Sequence, residues 1–560
     1  MPTTPNAFLR SFLYTALAEA YRTVGSFPLP DGVELRPSDR PEFGDYSSNL
    51  AMMLARSHGV APRALAEKLV AAVAARFAPD DVRAEVAGPG FVNLFIGARR
   101  IHEALCRILQ SGDAYGCSSQ GAGRKSQVEF VSSNPTGPLT VGHGRQAVLG
   151  DVLASLHAEI GYDVKREYYF NDEGRQVDLL AESLWIRYRE LFGESRDIPE
   201  GGYHGEYLKE LAREVRASLG EEFPAFDDRA KAVFRREAVD RISASIRKDL
   251  AALGIRFDAF FSEETLHRAG KVDAALAELR ERDAAYDKDG AVWLRADHVP
   301  GGKDSVLIRS DGRPTYLMVD IAYHIDKRAR GFEYVINVQG ADHVVEQACM
   351  QAALAALGFE PGFLRYAVHQ FVSLKEGGEV QRMSTRAGRF VTLRDLLDEV
   401  GADIVRYFMI SRKPEAHLDF DLDLARSQSL DNPATYIQYA HTRICAVFRK
   451  AAGDARSVPA DTDWSRVDLA PLVEREELEL IKRIDEFPDV LEVAATSFAP
   501  HLVPEYALGI ARAFHGYYDR HRVLSDDAAM TLARLALLRA IGLVLRRSLG
   551  ILGMAAPEAM

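Results

Sequence analysis

The sequence predicts a multidomain α/β protein in three parts. These are an N-terminal α+β domain, a central domain on a parallel sheet interrupted by an insertion, and a C-terminal all-α bundle. Three observations carry this expectation. A chain of 560 residues is too long for one hydrophobic core. From Lys125 the texture becomes strand, Gly/Pro turn and helix, and it returns after a charged helical stretch, as a split parallel sheet requires. After Asp431-Asn432-Pro433 every periodic segment is helical.

The first domain is expected over 1–118. Ala61 to Val70 has helical spacing with Pro62 near its first turn, and Val86 to Ile96 is turn chemistry feeding a strand. Gly116 to Gly123 reads as a linker. The central domain is expected over 124–425. Gln127 to Val131 is a strand, and Val148, Leu149, Val152, Leu153 and Leu156 fall on one face of a helix. A charged helical insertion is expected over about 190–290, with strands returning from about Val292 and a β-branched run at Tyr334 to Val338. The bundle is expected over 430–560, with Ala529 to Leu552 dense in Ala, Leu and Arg.

Composition excludes several classes. With 47% hydrophobic and 27% charged residues the chain reads as an ordinary globular protein. No apolar run is read as long enough to span a bilayer, and Glu19 with its polar neighbours argues against a secretory signal. Cys106, Cys117, Cys349 and Cys445 form no C-x-x-C pair, so neither zinc nor a disulfide framework is expected, and a reduced cytoplasm is. A net charge of −12 argues against wholesale coating of nucleic acid and leaves room for a local basic face.

The most informative stretch is Asn134-Pro135-Thr136-Gly137-Pro138-Leu139-Thr140-Val141-Gly142-His143-Gly144-Arg145. It joins a strand to a helix start, where unpaired N–H groups and the positive dipole end favour phosphate. It matches neither the P-loop nor G-x-G-x-x-G. It adds His143, an imidazole that either caps the turn or donates to phosphate oxygens. A second stretch, Glu379 to Arg389, puts Arg382, Arg386 and Arg389 in one short loop, suited to neutralising a departing polyphosphate.

On these residues the chain resembles the class I aminoacyl-tRNA synthetases. Thr140-Val141-Gly142-His143 is similar to their HIGH motif, and Arg382-Met383-Ser384-Thr385-Arg386 to their KMSKS loop in its arginyl form, here at 381–389. Glu129 to Pro138 resembles the arginyl enzymes specifically. Phe43 to Asn49 and Gly88 to Asn93 resemble their N-terminal tRNA-binding domain, and Tyr436 to Ile444 with the closing Gly550 to Met560 their anticodon-binding bundle. Three positions depart from the pattern: Thr140 for the first His of HIGH, Arg382 for the first Lys of the loop, and Ala387 for a later Lys.

The resemblance implies a Rossmann-like catalytic domain that attaches L-arginine to tRNA(Arg) through an arginyl-adenylate, with ATP and Mg2+ and no protein-bound metal. It implies catalytic roles for His143, Thr140, Arg382 and Arg386, and ATP contacts from Gly142, His143, Gly340, Asp342, Met383 and Ser384. Arginine falls to Ser133, Asn134, Tyr316, Asp320 and His343. Tyr316 and Asp320 stand four apart, hence on one helical face, and a carboxylate suits a guanidinium. Glu129 is either a further partner of the substrate or a charge paired within the sheet. Asp342 either accepts from ribose or caps a helix. For tRNA, Tyr46 and Asn49 are candidates at its corner. Tyr436, Tyr439 and His441 are candidates at the anticodon, with core packing the equal alternative. A cytoplasmic monomer that requires tRNA for activation is expected. The rivals are a catalytically impaired tRNA-binding regulator and a small-molecule ligase of the same superfamily.

Overall fold

The computed structural model describes residues 6–25, 33–38, 40–172, 174–295, 304–341, 344–380, 391–453 and 462–560. Near the N-terminus a four-stranded antiparallel sheet, in the order Leu35–Pro37, Tyr46–Ser48, Phe91–Ile96, Val82–Ala87, packs on the helices Phe8–Val24 and Pro62–Arg76. Val92, Leu94 and Ile96 point into that core, as period-2 alternation demands.

Phe8–Val24 has no capping side chain of its own. Its first amides are met by carboxylates of the C-terminal helices Arg475–Asp485 and Phe487–Thr496. Asp489 accepts from Asn6 N at 2.6 Å and Ala7 N at 2.9 Å, and Asp485 accepts from Leu9 N at 2.8 Å. Carboxylates at a helix N-terminus satisfy orphan donors and the dipole together. Lys482 adds an ion pair to Asp45.

The central sheet is five-stranded and wholly parallel, in the order Leu364–His369, Tyr334–Gly340, Lys125–Glu129, Asp163–Phe170, Ala259–Ser262. The first of these strands in the chain, Lys125–Glu129, lies in the middle. The next two add on one side and the last two on the other. The order therefore reverses between Lys125–Glu129 and Tyr334–Gly340, and the crevice at their carboxyl ends is where an open α/β sheet binds ligands.

The stretch expected as one insertion contains a strand of this sheet, Ala259–Ser262. Helices Arg175–Glu190, Glu206–Leu219 and Asp228–Ala252 come before it. The β-branched segment at Val292 joins a separate three-stranded antiparallel sheet, not the central one. Period and composition are the same for both kinds of strand, so the sequence could not separate them.

The C-terminal part is helical, with Pro433–Gly453, Arg475–Asp485, Phe487–Thr496, Leu502–Tyr518 and Ala528–Ile551. Against the sequence reading, Ala528–Ile551 is long and apolar enough to cross a membrane. Yet 67% of its most apolar window is buried within the protein, as for the core helix of a bundle.

Arg406, 1% exposed, bolts the parts together. It donates to Leu552 O at 2.5 Å and Leu253 O at 3.0 Å, and pairs with Asp151 of the helix Val141–Glu159. Gly553 has φ +68°, and a Cβ there would collide with the Arg406 guanidinium. Gly553→Ala combines left-handed strain with a displaced buried donor, and is expected to cost about 3 kcal/mol, read as a lower urea midpoint of unfolding.

Candidate active site

The strand Lys125–Glu129 runs into a strained corner. Val131 and Ser132 have φ of +68° and +39°. Positive φ at a β-branched residue is a conformation that surrounding structure must enforce, and such residues gather at binding sites. Here Ser132 Oγ donates to Glu129 at 3.0 Å and accepts from Tyr169 N at 3.2 Å. The Tyr168 hydroxyl donates to Ser133 O at 2.9 Å and meets Ser133 Oγ at 2.8 Å. Asn134 donates to Gln176 at 2.9 Å.

The helix Val141–Glu159 starts at the crevice. Its glycines differ in purpose. A Cβ on Gly144 would press on Leu393 at 2.9 Å, so Gly144 serves packing. A Cβ on Gly142 would meet nothing nearer than Thr140 Oγ1 at 3.7 Å, so packing within the fold does not require a glycine there. Arg145 turns inward, 1% exposed, onto the carbonyls of Gln370, Lys413 and Ala416. Gln146 ties the helix to Val338 O at 2.6 Å.

His143 is half-buried, and its Nδ1 accepts from the Thr140 backbone N–H at 3.0 Å. That bond assigns the proton to Nε2, which leaves a neutral ring with one free donor. Burial and the neighbouring His369 lower its pKa to about 4, so the ring stays neutral at pH 7. Thr140 thus serves as the cap that orients His143. It also bridges to Thr392, and Leu393 N donates to Leu139 O at 2.8 Å.

The helix Tyr316–Ala329 supplies the acidic side. Tyr316 is 63% exposed on its first turn and lines a cleft of about 660 Å³ with Arg175, Glu263, Arg309 and Arg313. Asp320, one turn on, is half-buried, and burial with Glu129 close by pushes its carboxyl up to about 7. Glu129 itself is paired within the fold: Lys327, fully buried, donates to it at 2.6 Å. Gly340 ends its strand opposite His369.

The crevice therefore gathers Glu129, Ser133, Asn134, Thr140, Gly142, His143, Asp320 and Gly340 around two strand ends and two helices. Asp342, His343, Arg382, Met383, Ser384 and Arg386, with Ala387 and Arg389, lie outside the described residues. Two of the tRNA candidates are buried: for Tyr46 this departs from the expected surface contact, and for His441 it is the core-packing alternative. Tyr46 is 6% exposed and faces Glu486 of the bundle, so it is an interdomain residue rather than a surface contact. His441 is 6% exposed and holds Pro557 O at 3.0 Å, which fastens the C-terminal tail. Asn49 precedes the short helix Leu50–Leu54. Tyr436 and Tyr439 both pack on His515, with ring centroids at 4.7 and 5.6 Å, beside Arg443.

Sequence reasoning missed Lys327, although it stands seven residues after Asp320 on the same helical face. It also missed the second face of the N-terminal sheet, which Phe91, 37% exposed, shares with buried Asn93 and with half-buried Phe95, over which Arg83 lies at 3.8 Å. The register of that strand was the available signal.

Comparison with known proteins agrees along the whole chain. Residues 9–96 match the family model of the arginyl tRNA synthetase N-terminal domain. Residues 104–414 match that of the tRNA synthetases class I (R) catalytic domain, and 437–560 that of the DALR anticodon binding domain. The arginine–tRNA ligase of Syntrophotalea carbinolica is 43% identical over 555 residues, 99% of each chain. That of Geobacillus thermodenitrificans is 45% identical over 92% of each. The arginyl-tRNA synthetase structure from Thermus thermophilus superposes with a TM-score of 0.74 at 26% identity, covering 98% of this chain and 99% of that one. Identity at this level over nearly the full length, with each part of the chain matched in its own right, places the chain in the arginyl-tRNA synthetase family of the class I aminoacyl-tRNA synthetases.

Proposed function

We infer that the protein charges tRNA(Arg) with L-arginine at the expense of ATP, by way of an arginyl-adenylate. The observation that carries the reading is the acidic pocket opposite a neutral histidine donor across one sheet crevice. A carboxyl whose pKa its surroundings hold near 7 gives up its proton to solvent when a cation arrives to pair with it, and a guanidinium is always charged.

In the first step the arginine carboxylate attacks the α-phosphorus of ATP, and pyrophosphate leaves. The Nε2–H of His143 and the amides bared at Gly142 meet phosphate oxygens as their charge grows. Asp320 and Tyr316 hold the side chain of arginine, while Ser133 and Asn134 hold its α-end. Gly340, Asp342, Met383 and Ser384 take the nucleotide, and Arg382 and Arg386 neutralise the leaving pyrophosphate. In the second step a terminal ribose hydroxyl of tRNA, losing its proton, attacks the acyl carbon, the bond between that carbon and the phosphate oxygen breaks, and AMP leaves. Positioning and charge stabilisation suffice, with no covalent enzyme intermediate. Magnesium travels with the nucleotide. Among the described residues no cluster of three or more His, Cys, Asp or Glu is placed to hold a metal, and phosphates commonly supply its ligands.

The tRNA is held at two places, at its corner by the N-terminal domain near Asn49 and at the anticodon by the platform of Tyr436, Tyr439 and His515. The enzyme acts in the cytoplasm as a monomer. The near full-length likeness to arginine ligases leaves the binding-only alternative without support.

The test is ATP–pyrophosphate exchange with purified protein and arginine, with and without tRNA(Arg). Exchange is expected with arginine, only when tRNA is present, and not with lysine. Absence of exchange in every tube, with tRNA still bound, would refute the reading.

A further inference from the structure

Beneath the pocket runs a chain of polar side chains with no role in the mechanism above. Lys327 is fully buried. Its ammonium donates to Glu129 Oε2 at 2.6 Å and Asn337 Oδ1 at 3.2 Å, and lies 4.3 Å from the Tyr323 ring. Asn337 Nδ2 meets His324 Nε2 at 3.2 Å, and His324 Nδ1 meets the Asp320 carbonyl at 2.8 Å.

The direction of every link is forced. An ammonium only donates, so the amide oxygen of Asn337 must face it. The amide NH₂ then faces His324, whose Nε2 must accept, so the proton sits on Nδ1 and needs an acceptor. The Asp320 carbonyl is that acceptor. Burial and Lys327 hold His324 well below its usual range, which fits the neutral ring the chain requires. Four side chains on one strand pair and one helix thus have a single consistent arrangement.

Stability alone does not explain the chain. A buried charge pair is generally no better than well-packed apolar residues of the same size, and is often worse. What such a network does provide is a unique geometry.

We propose that Lys327 is a positioning residue of the arginine pocket. It fixes Glu129 at the strand end and, through Asn337 and His324, the turn that carries Asp320, and it neutralises Glu129 so that Asp320 is the carboxylate that answers the guanidinium. The proposal rests on the arginine-charging reading. It predicts that the affected parameter is arginine recognition, not nucleotide or tRNA binding.

The test uses full-length Lys327→Met and His324→Gln in tRNA-dependent exchange, with Asp320→Asn beside them. Lys327→Met is expected to raise the arginine KM by about 30-fold or more, as when one partner of a buried hydrogen-bonded charge pair is lost. The ATP KM and tRNA affinity should stay within about twofold. Lys327 also opposes protonation of Asp320, so its loss should move the pH midpoint of the arginine KM upward, which a merely structural lesion would not do. His324→Gln keeps the ammonium. It should raise the arginine KM without moving that midpoint, and it carries the test if Lys327→Met does not fold. The proposal fails if folded variants keep the wild-type arginine KM, or if the arginine, ATP and tRNA parameters worsen together. An unchanged arginine KM in Asp320→Asn would instead overturn the assignment of the pocket.

Discussion

Asp320→Asn is expected to raise the arginine KM by about 10³-fold and leave the ATP KM unchanged. Removing one partner of a buried hydrogen-bonded charge pair costs about 3–5 kcal/mol, and each 1.4 kcal/mol is tenfold. The same substitution is expected to stabilise the free protein at pH 8. Burial and Glu129 lift the Asp320 carboxyl from its ordinary value near 3.8 to about 7. The folded state therefore binds this proton more tightly than the unfolded state does. The penalty is absent below about pH 4, grows as pH rises and is complete above about pH 7, reaching roughly 2 kcal/mol once partial solvent access is allowed for. Asparagine escapes it. Urea unfolding should show the variant more stable at pH 8 and equal to wild type near pH 4.

With Asp320 as the proposed guanidinium partner, the same proton is expected to govern substrate capture. Glu129, Glu346 and Glu263 raise the Asp320 pKa and Lys327 lowers it, with Glu129 the strongest of these charges. Below about pH 7 a proton must leave before the guanidinium binds, so the wild-type arginine KM should rise about tenfold per pH unit. A KM flat from pH 5.5 to 8 would show that Asp320 does not receive the substrate.

His143→Ala is expected to lower kcat by about 10²–10³-fold, the usual effect of losing one donor to a developing oxyanion, with the KM values little changed. The sharper prediction concerns pH. Burial holds His143 near 4, so kcat should show no limb near pH 6.5 while the arginine KM slopes. The two dependences separate the two residues in one data set. A kcat that titrates near 6.5 and loses this limb in His143→Ala would mean that the imidazole works as a cation. Stability carries the matching sign. The pKa values of His143 and His157 are both lowered to about 4. Their contribution is intact above pH 6.5 and is lost as pH falls toward 4.

What the sequence revealed was local chemistry. The strand, turn and helix around His143 were legible because Gly and Pro mark turns. That Tyr316 and Asp320 share one helical face was legible because four residues make about one turn, while their assignment to the substrate comes from the family resemblance. What it hid was long-range pairing. The partner of Glu129 is 198 residues away, so the choice between a substrate contact and an internal pair could not be made from the strand alone. The strand Ala259–Ser262 was lost in a helical stretch because four residues give almost no period. Tyr46 and His441 show that residue type does not report which way a ring faces.

The first helix of the chain borrows its cap from the bundle near the opposite terminus. A domain tied through the N–H groups of its own helix, and not through side chains alone, cannot swivel without leaving those groups bare. If the N-terminal sheet touches the corner of a tRNA and the bundle its anticodon, the two contacts lie at a fixed separation. The enzyme then works as a gauge as well as a reader. An RNA carrying the right bases on an arm of the wrong length is then expected to be charged poorly.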